Sequence, residues 1–179
     1  APSANRFGHV SPTTAAAVIE ELGDYLSKDD LVLDGGACDV GVESTIIDCT
    51  GVAPSVLRPG AISVSMIEEC LGIKTTQSAK EIRVSGALEN HYAPKARVLL
   101  DESPLPNQGF IAFKNIETPR GVIRLASPEN DEDFARVLYS ALRQADTQGL
   151  AAVVVIQPTG SGIAVAIRDR LFRAANGRK

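Results

Sequence analysis

Residues 39–62 read DVGVESTIIDCTGVAPSVLRPGAI, and the reading of this stretch decides the fold. Ser44 to Cys49 is β-branched and mostly apolar, the composition of a strand. Thr50-Gly51 supplies a turn and Ser55 to Leu57 is the returning strand, so the pattern predicts a hairpin. Polar chemistry stands at both strand ends. Glu43, Ser44 and Thr45 sit at the mouth of the first strand. Arg58 follows Leu57, and Pro59-Gly60 stop the second strand there, which puts Arg58 at a rim. A planar guanidinium in that place suits a phosphate or a carboxylate. An ordinary surface arginine in a turn has the same spacing.

Upstream, Ser11-Pro12-Thr13-Thr14 predicts a helix start with Ser11 as N-cap and Pro12 at the first helical position. The helix is expected to run to about Leu26, with Val18, Leu22, Tyr25 and Leu26 on one face. Ser3, Asn5 and Ser11 crowd this start, where free N–H groups either hold an anion or are simply capped. Leu31 to Asp34 reads as a strand ending at Gly35-Gly36.

Downstream, Ser65-x-x-Glu68 resembles a capping box for a short helix closed by Gly72. Residues 82–94 have no period and read as a linker. Beyond Ala96 the composition changes. Arg97–Leu100, Gly109–Phe113, Gly121–Leu125 and Ala151–Ile156 are apolar strand candidates. Residues 128–148 hold an amphipathic helix with Phe134, Val137, Leu138, Ala141 and Leu142 on one face, and Ile163–Ala175 is a second helix. Strands alternating with helices predict an α/β layer on a largely parallel sheet. Thr159-Gly160-Ser161-Gly162 reads as a structural turn, since a lone GxG is not a dinucleotide fingerprint. Arg168, Arg170 and Arg173, near a helix C-terminus, read as a solvated face complementing the dipole.

Composition narrows the function classes. The chain has 179 residues, a net charge of −4, 44% hydrophobic and 22% charged residues, the profile of a globular protein with a real core. No apolar run approaches the ~20 residues that span a bilayer. Residues 1–96 carry 7 Lys+Arg against 13 Asp+Glu, and residues 97–179 carry 11 against 9, so neither half has a basic stripe for nucleic acid. Cys38, Cys49 and Cys70 are odd in number and lack CxxC spacing, which favours a reducing compartment and argues against zinc. Cys49 reads as a small core residue. His9 and His91 have no ligand-spaced partner.

Four segments, taken together and in order, go further. APSANRFGHVSPT (1–13), DVGVESTIID (39–48), VLRPGAI (56–62) and SGALENHYAPKA (85–96) resemble the YrdC-like threonylcarbamoyl-AMP synthases in their two-domain form. The tail GIAVAIRDRLFRAA (162–175) is similar to the end of that form's C-terminal domain. The resemblance implies an α/β protein: an incomplete YrdC-like domain over 1–84, a linker with the HYAP motif over 85–96, and a small Rossmann-like accessory domain over 97–179. It implies a nucleotidyltransferase that forms threonylcarbamoyl-AMP from L-threonine, bicarbonate and ATP, with release of pyrophosphate. The product would pass to a downstream tRNA-modifying threonylcarbamoyl transferase, and the location implied is cytoplasmic.

By the same resemblance, Ser3, Ser11, Arg58 and Tyr92 match ATP-contacting residues, and Ala1 and Ser44 match positions that meet threonine. Asn5 belongs to the same SAN motif. No side chain matches a catalytic acid, base or nucleophile, which fits a reaction that needs positioning and charge neutralisation above all. Mg²⁺ is the implied cofactor, held mainly through ATP phosphates. The family's N-terminal part, with a lysine- and arginine-containing phosphate motif, is expected ahead of Ala1, so residues 1–179 alone are expected to be inactive. Ala87-Leu88-Glu89-Asn90 depart from the commoner proline- and methionine-bearing linker.

The linker's His91-Tyr92-Ala93-Pro94 is not a plain tether, because Pro94 holds Ala93 extended. Tyr92 either lies against the nucleotide, with His91 helping to fix it, or packs the domain interface. Two other readings stand beside the synthase: a non-catalytic nucleotide- or RNA-binding module, and a YrdC-like carbamoyltransferase. The linker and C-terminal domain argue against the second. The acidic first half argues against autonomous RNA binding, and so against direct contact with tRNA.

Overall fold

In the computed structural model, which describes residues 4–76, 84 and 92–177, the chain is a mixed α/β structure with a parallel sheet in its second half. The expected hairpin is present. β1 (Ile46–Asp48) pairs antiparallel with β2 (Ser55–Arg58), and a register shift falls between Ile46 and Ile47. Ahead of it lies α1 (Ala15–Leu22), which tightens into a 3₁₀ turn at Gly23–Tyr25. Its cap is Thr14, whose side chain accepts from Ala17 N, and not Ser11 as the sequence suggested. Ser11 is drawn elsewhere, as described below. α2 (Val64–Leu71) is capped by Ser63, two residues ahead of the expected Ser65, and closes at Gly72 with φ 67°, a left-handed end that glycine allows.

Leu31 to Asp34 forms no strand. Nothing in the described residues pairs with it, and Leu31 and Leu33 are 84% and 87% exposed. A strand without a neighbour leaves its backbone groups unpaired, so local propensity alone does not hold it. Cys49 lies just past β1 and is exposed, as are Cys38 and Cys70, so Cys49 is not a core residue.

The second half is built on β3 (Arg97–Leu100), β4 (Gly109–Ile111), β5 (Ile123–Ala126) and β6 (Ala152–Val155), in the spatial order β3-β6-β4-β5, all parallel. α3 (Asp131–Thr147) and α4 (Ile163–Asn176) cover one face. There Val98, Ile111, Val153 and Val155 pack with Phe134, Leu138, Leu142, Ile167 and Leu171. Alternation along the strands sends Phe110, Ala112 and Val154 to the other face. Arg124 closes that face by lying over the Phe110 ring at 5.0 Å and donating to the carbonyls of Ala112 and Phe113. α3 starts at Asn130, whose Oδ1 accepts from Asp133 N at 2.8 Å, with three acids in the first turn to suit the dipole.

The main core belongs to this second half, and the first half is fastened to it. Val10 and Tyr92 are buried in the same cluster as α3 and α4. No helix among the described residues is long and apolar enough to cross a membrane.

Candidate functional site

Glu43 is the hub. It stands just before β1, so its backbone is set by the hairpin and its side chain turns towards the second half. Oε1 accepts from Ser11 Oγ at 2.7 Å. Oε2 accepts from Tyr139 OH at 2.9 Å and from Arg170 Nε at 2.8 Å. The Glu43 carbonyl accepts from Arg170 Nη2 at 3.4 Å. The carboxylate thus takes donors from a loop, from α3 and from α4.

Arg170 corrects the sequence reading. It does not belong to a solvated face: its side chain is fully buried and bridges Glu43 and Asp169, the latter at 2.6 Å. Ile167, Arg170, Leu171 and Ala174 share the spacing i, i+3, i+4, i+7, which is the buried stripe of α4. Arg173 does stay nearer the surface, paired with Asp169.

The electrostatics follow from this packing. Burial pushes the Glu43 carboxyl up, but the Arg170 charge and the donated hydrogen bonds outweigh it, and the net shift is downward. Burial pushes the Tyr139 phenol well above its usual value, and the Glu43 charge adds to this. Burial opposes the charge on Arg170, yet its acidic surroundings raise its pKa further, so it remains a cation. A buried ion pair is tolerable only when its remaining donors are satisfied, and here both partners are.

Tyr92 is 1% exposed. Its ring stacks on Tyr139, centroids 5.6 Å apart at 25°, and the Arg170 guanidinium lies over it at 5.4 Å. Its backbone takes φ 63°, uncommon for a residue with a bulky side chain. Burial is the main reason its phenol titrates high, with the Glu43 charge next; the charge of Arg170, then the charge of Arg58 and a hydrogen bond to it, act the other way. Arg58 is buried, at 7% exposure, and not at a rim as the Pro59-Gly60 stop suggested, because its Nε and Nη2 turn back to donate to the Ser44 carbonyl, at 3.2 and 2.9 Å. Arg58 therefore ties the end of β2 both to the mouth of β1 and to the linker. Gly60 lets the strand mouth pass: a Cβ there would lie 2.3 Å from Thr45 N.

Of the residues picked out from sequence, Ser11, Ser44, Arg58 and Tyr92 come together around Glu43, with Ser44 on the exposed side. Asn5 sits apart. Its Nδ2 donates to the Arg6 and His9 carbonyls and shapes the loop whose Gly8 carbonyl accepts from Ala93 N. Ala1, Ser3 and His91 lie outside the described residues. The sequence reading does not join Glu43, Tyr139 and Arg170; the signal available for Arg170 was the apolar spacing of Ile167, Leu171 and Ala174 around it. A cavity of about 460 Å³ adjoins the hub, lined by Ser11, Thr13, Cys38, Asp39, Glu43 and Tyr139 among others. A larger hollow, about 850 Å³, lies between Phe113, Lys114 and the start of α3 and shares none of these residues.

Comparison with known proteins gives this arrangement a family. Residues 62–176 match the family model described as "Threonylcarbamoyl-AMP synthase, C-terminal domain", and residues 1–60 match the Sua5/YciO/YrdC model described as "Telomere recombination". The threonylcarbamoyl-AMP synthase of Pyrococcus abyssi is 35% identical over 199 residues, covering 99% of this chain and 58% of the relative. That of Bacillus subtilis is 30% identical, with 99% and 57% covered. The crystal structure of P. abyssi Sua5 complexed with L-threonine superposes with a TM-score of 0.78 at 30% identity, over 99% of this chain and 57% of that one. The chain thus spans a little more than half the length of these relatives. With both halves matched in order and the second half matched by the family's own C-terminal domain, the chain belongs to the threonylcarbamoyl-AMP synthase family.

Proposed function

We propose that this chain carries part of the ligand site of an L-threonylcarbamoyladenylate synthase, which joins L-threonine, bicarbonate and ATP into threonylcarbamoyl-AMP and releases pyrophosphate. The observation that carries the reading is that Ser11, Arg58 and Tyr92, distant in sequence, gather at the Glu43-Ser44 mouth: Ser11 donates to the Glu43 carboxylate, Arg58 to the Ser44 carbonyl, and Tyr92 stacks on Tyr139, which also donates to Glu43. In this reading Ser44, exposed at the mouth of β1 with its carbonyl pinned by Arg58, presents its hydroxyl to threonine. The relative solved with L-threonine supports threonine as the substrate. Ser11 and Arg58 face the nucleotide, where a guanidinium offsets phosphate charge. Tyr92 sets the wall behind them, and Ala1, Ser3, Asn5 and His91 are assigned to the same two ligands.

Mg²⁺ enters with the ATP phosphates. Among the described residues there is no group of three or more His, Cys, Asp or Glu that could hold a metal ion. The chemistry it supplies is neutralisation of phosphate charge. The product is a mixed anhydride suited to acyl transfer, so its consumer is a threonylcarbamoyl transferase acting on tRNA.

The test is calorimetric titration of L-threonine and of ATP into the chain, paired with threonine- and bicarbonate-dependent pyrophosphate release. Release is measured on residues 1–179 alone and with the segment of a relative that this chain does not match. Threonine binding that weakens in Ser44→Ala supports the reading. Absence of binding to either ligand, with no pyrophosphate release in either assay, removes it.

A further inference from the structure

One face of α3 touches the first half at regular intervals. Arg136, Tyr139 and Arg143 stand at i, i+3 and i+7, which stacks them along one side of the helix. Each holds a different piece. Arg136 Nε donates to the Asp39 carbonyl at 3.2 Å. Tyr139 OH donates to Glu43. Arg143 Nη2 donates to the Val10 carbonyl at 2.6 Å and pairs with Glu21 at 3.3 Å. Arg170 of α4 completes the row at Glu43.

Between Asp39 and Glu43 the backbone lies directly on the helix. Gly41, at φ 81°, has no room for a side chain: a Cβ would fall 2.3 Å from the Ala135 carbonyl oxygen and 2.4 Å from Arg136 Cα. The opposite side of the segment is closed by Gly60 against Glu43 to Thr45. Asp39 to Thr45 is therefore gripped between the C-terminal half and the Pro59-Gly60 turn. Val10, one residue before Ser11, is gripped from the same helix.

From this geometry we infer what the C-terminal half does for the site: its α3 face and Arg170 are a template that holds the Val10-Ser11 and Asp39–Ser44 segments at their working separation. Arg170 and Tyr139 are positioning residues. They act through Glu43 on the Ser11 hydroxyl on one side and on Ser44, its chain neighbour, on the other. The inference rests on the ligand assignment above only where ligand affinity is concerned. The grip itself is a property of the fold.

Hydrogen exchange and calorimetry on the same proteins decide it. The variants are Tyr139→Phe, which keeps the ring stack and removes one donor, Arg170→Met, and the paired Glu43→Gln/Arg170→Met, which leaves no buried charge unmatched. Lys114→Gln, in an exposed pair with Glu129, is the control. Loss of a donor to a charged acceptor should speed amide exchange across residues 41–45 by about tenfold, with β3 and β6 unchanged. Threonine and ATP affinities should fall together by about tenfold, while the control matches the parent. The inference is overturned by unchanged exchange at 41–45 in Tyr139→Phe and in whichever Arg170 variant folds. It is overturned equally by acceleration that spreads through β6, or by local loosening with both affinities intact. If the parent binds neither ligand, the functional reading fails, and exchange at 41–45 alone decides the grip.

Discussion

At the scale of single residues, a buried carboxylate sets the behaviour of its neighbours. Glu43 has its native pKa lowered, so the stability it contributes is fully present above the unfolded carboxyl value near 4.5 and is lost as pH falls through the lower native value. Glu43→Gln should be less stable than the parent at pH 7, by about 3 kcal/mol, since a buried ion pair is broken and Arg170 keeps only Asp169 as a counter-charge. That gap should narrow as pH drops below about 4.5. Melting temperatures of the two proteins from pH 7 to pH 3 check this, and a gap that widens at acid pH contradicts it. Tyr92 is as consequential. Its ring is sealed between Tyr139 and Arg170, so Tyr92→Ala should cost about 3 kcal/mol or more of stability, with Tyr92→Phe much milder. Denaturant titration separates them. Of the two alternatives left open in the sequence, interface packing is what the described structure shows for this residue; contact with a nucleotide remains part of the proposal. Arg58→Ala should weaken ATP binding by about ten- to a hundredfold, the worth of a charge-assisted bond, and Ser44→Ala should weaken threonine binding first. Paired calorimetric titrations test that split.

At the scale of elements, propensity located the helices, and tertiary contacts moved their ends. The amphipathic stripe of residues 131–147 was legible because Phe134, Leu138, Ala141 and Leu142 recur at helical spacing. The N-terminus of α1 lies three residues past the expected Ser11 cap, because Glu43 takes the hydroxyl of Ser11 and Thr14 caps the helix. Leu31 to Asp34 has strand composition but no partner strand among the described residues, so it forms no strand and Leu31 and Leu33 stay exposed. Gly41 belongs to this scale as well. Gly41→Ala should be destabilising both for its positive φ and for its collision with α3, whereas Gly72→Ala, with open space around it, should cost only about 1 kcal/mol. Comparative thermal unfolding of the two variants gives the ranking, and a larger loss at Gly72 would contradict the close packing of Gly41.

At the scale of the molecule, stability is uneven. The main cluster is supplied by β3 to β6, α3 and α4, while Leu31, Leu33, Ile47 and Val52 of the first half stand exposed. Residues 97–177 should therefore fold by themselves, and amides in β3, β4 and β6 should exchange more slowly than those of β1 and β2. Faster exchange in β6 than in β1 would reverse this. What the sequence determined on its own is what repeats locally or lies in one short run: the hairpin of 46–58, the alternation of strands and helices after Ala96, and the motifs that mark the family. What only the tertiary structure decided is which distant groups meet. Glu43 looks like one polar residue at a strand mouth, Tyr139 like one more residue of a helix, and Arg170 like a solvated charge. None has a periodic signal of pairing, because an ion pair between residues so far apart depends on the path of the chain between them. The buried stripe of α4 turned Arg170 inward, a guanidinium inside a core requires carboxylates, and beside its chain neighbour Asp169 the fold brings it the distant Glu43.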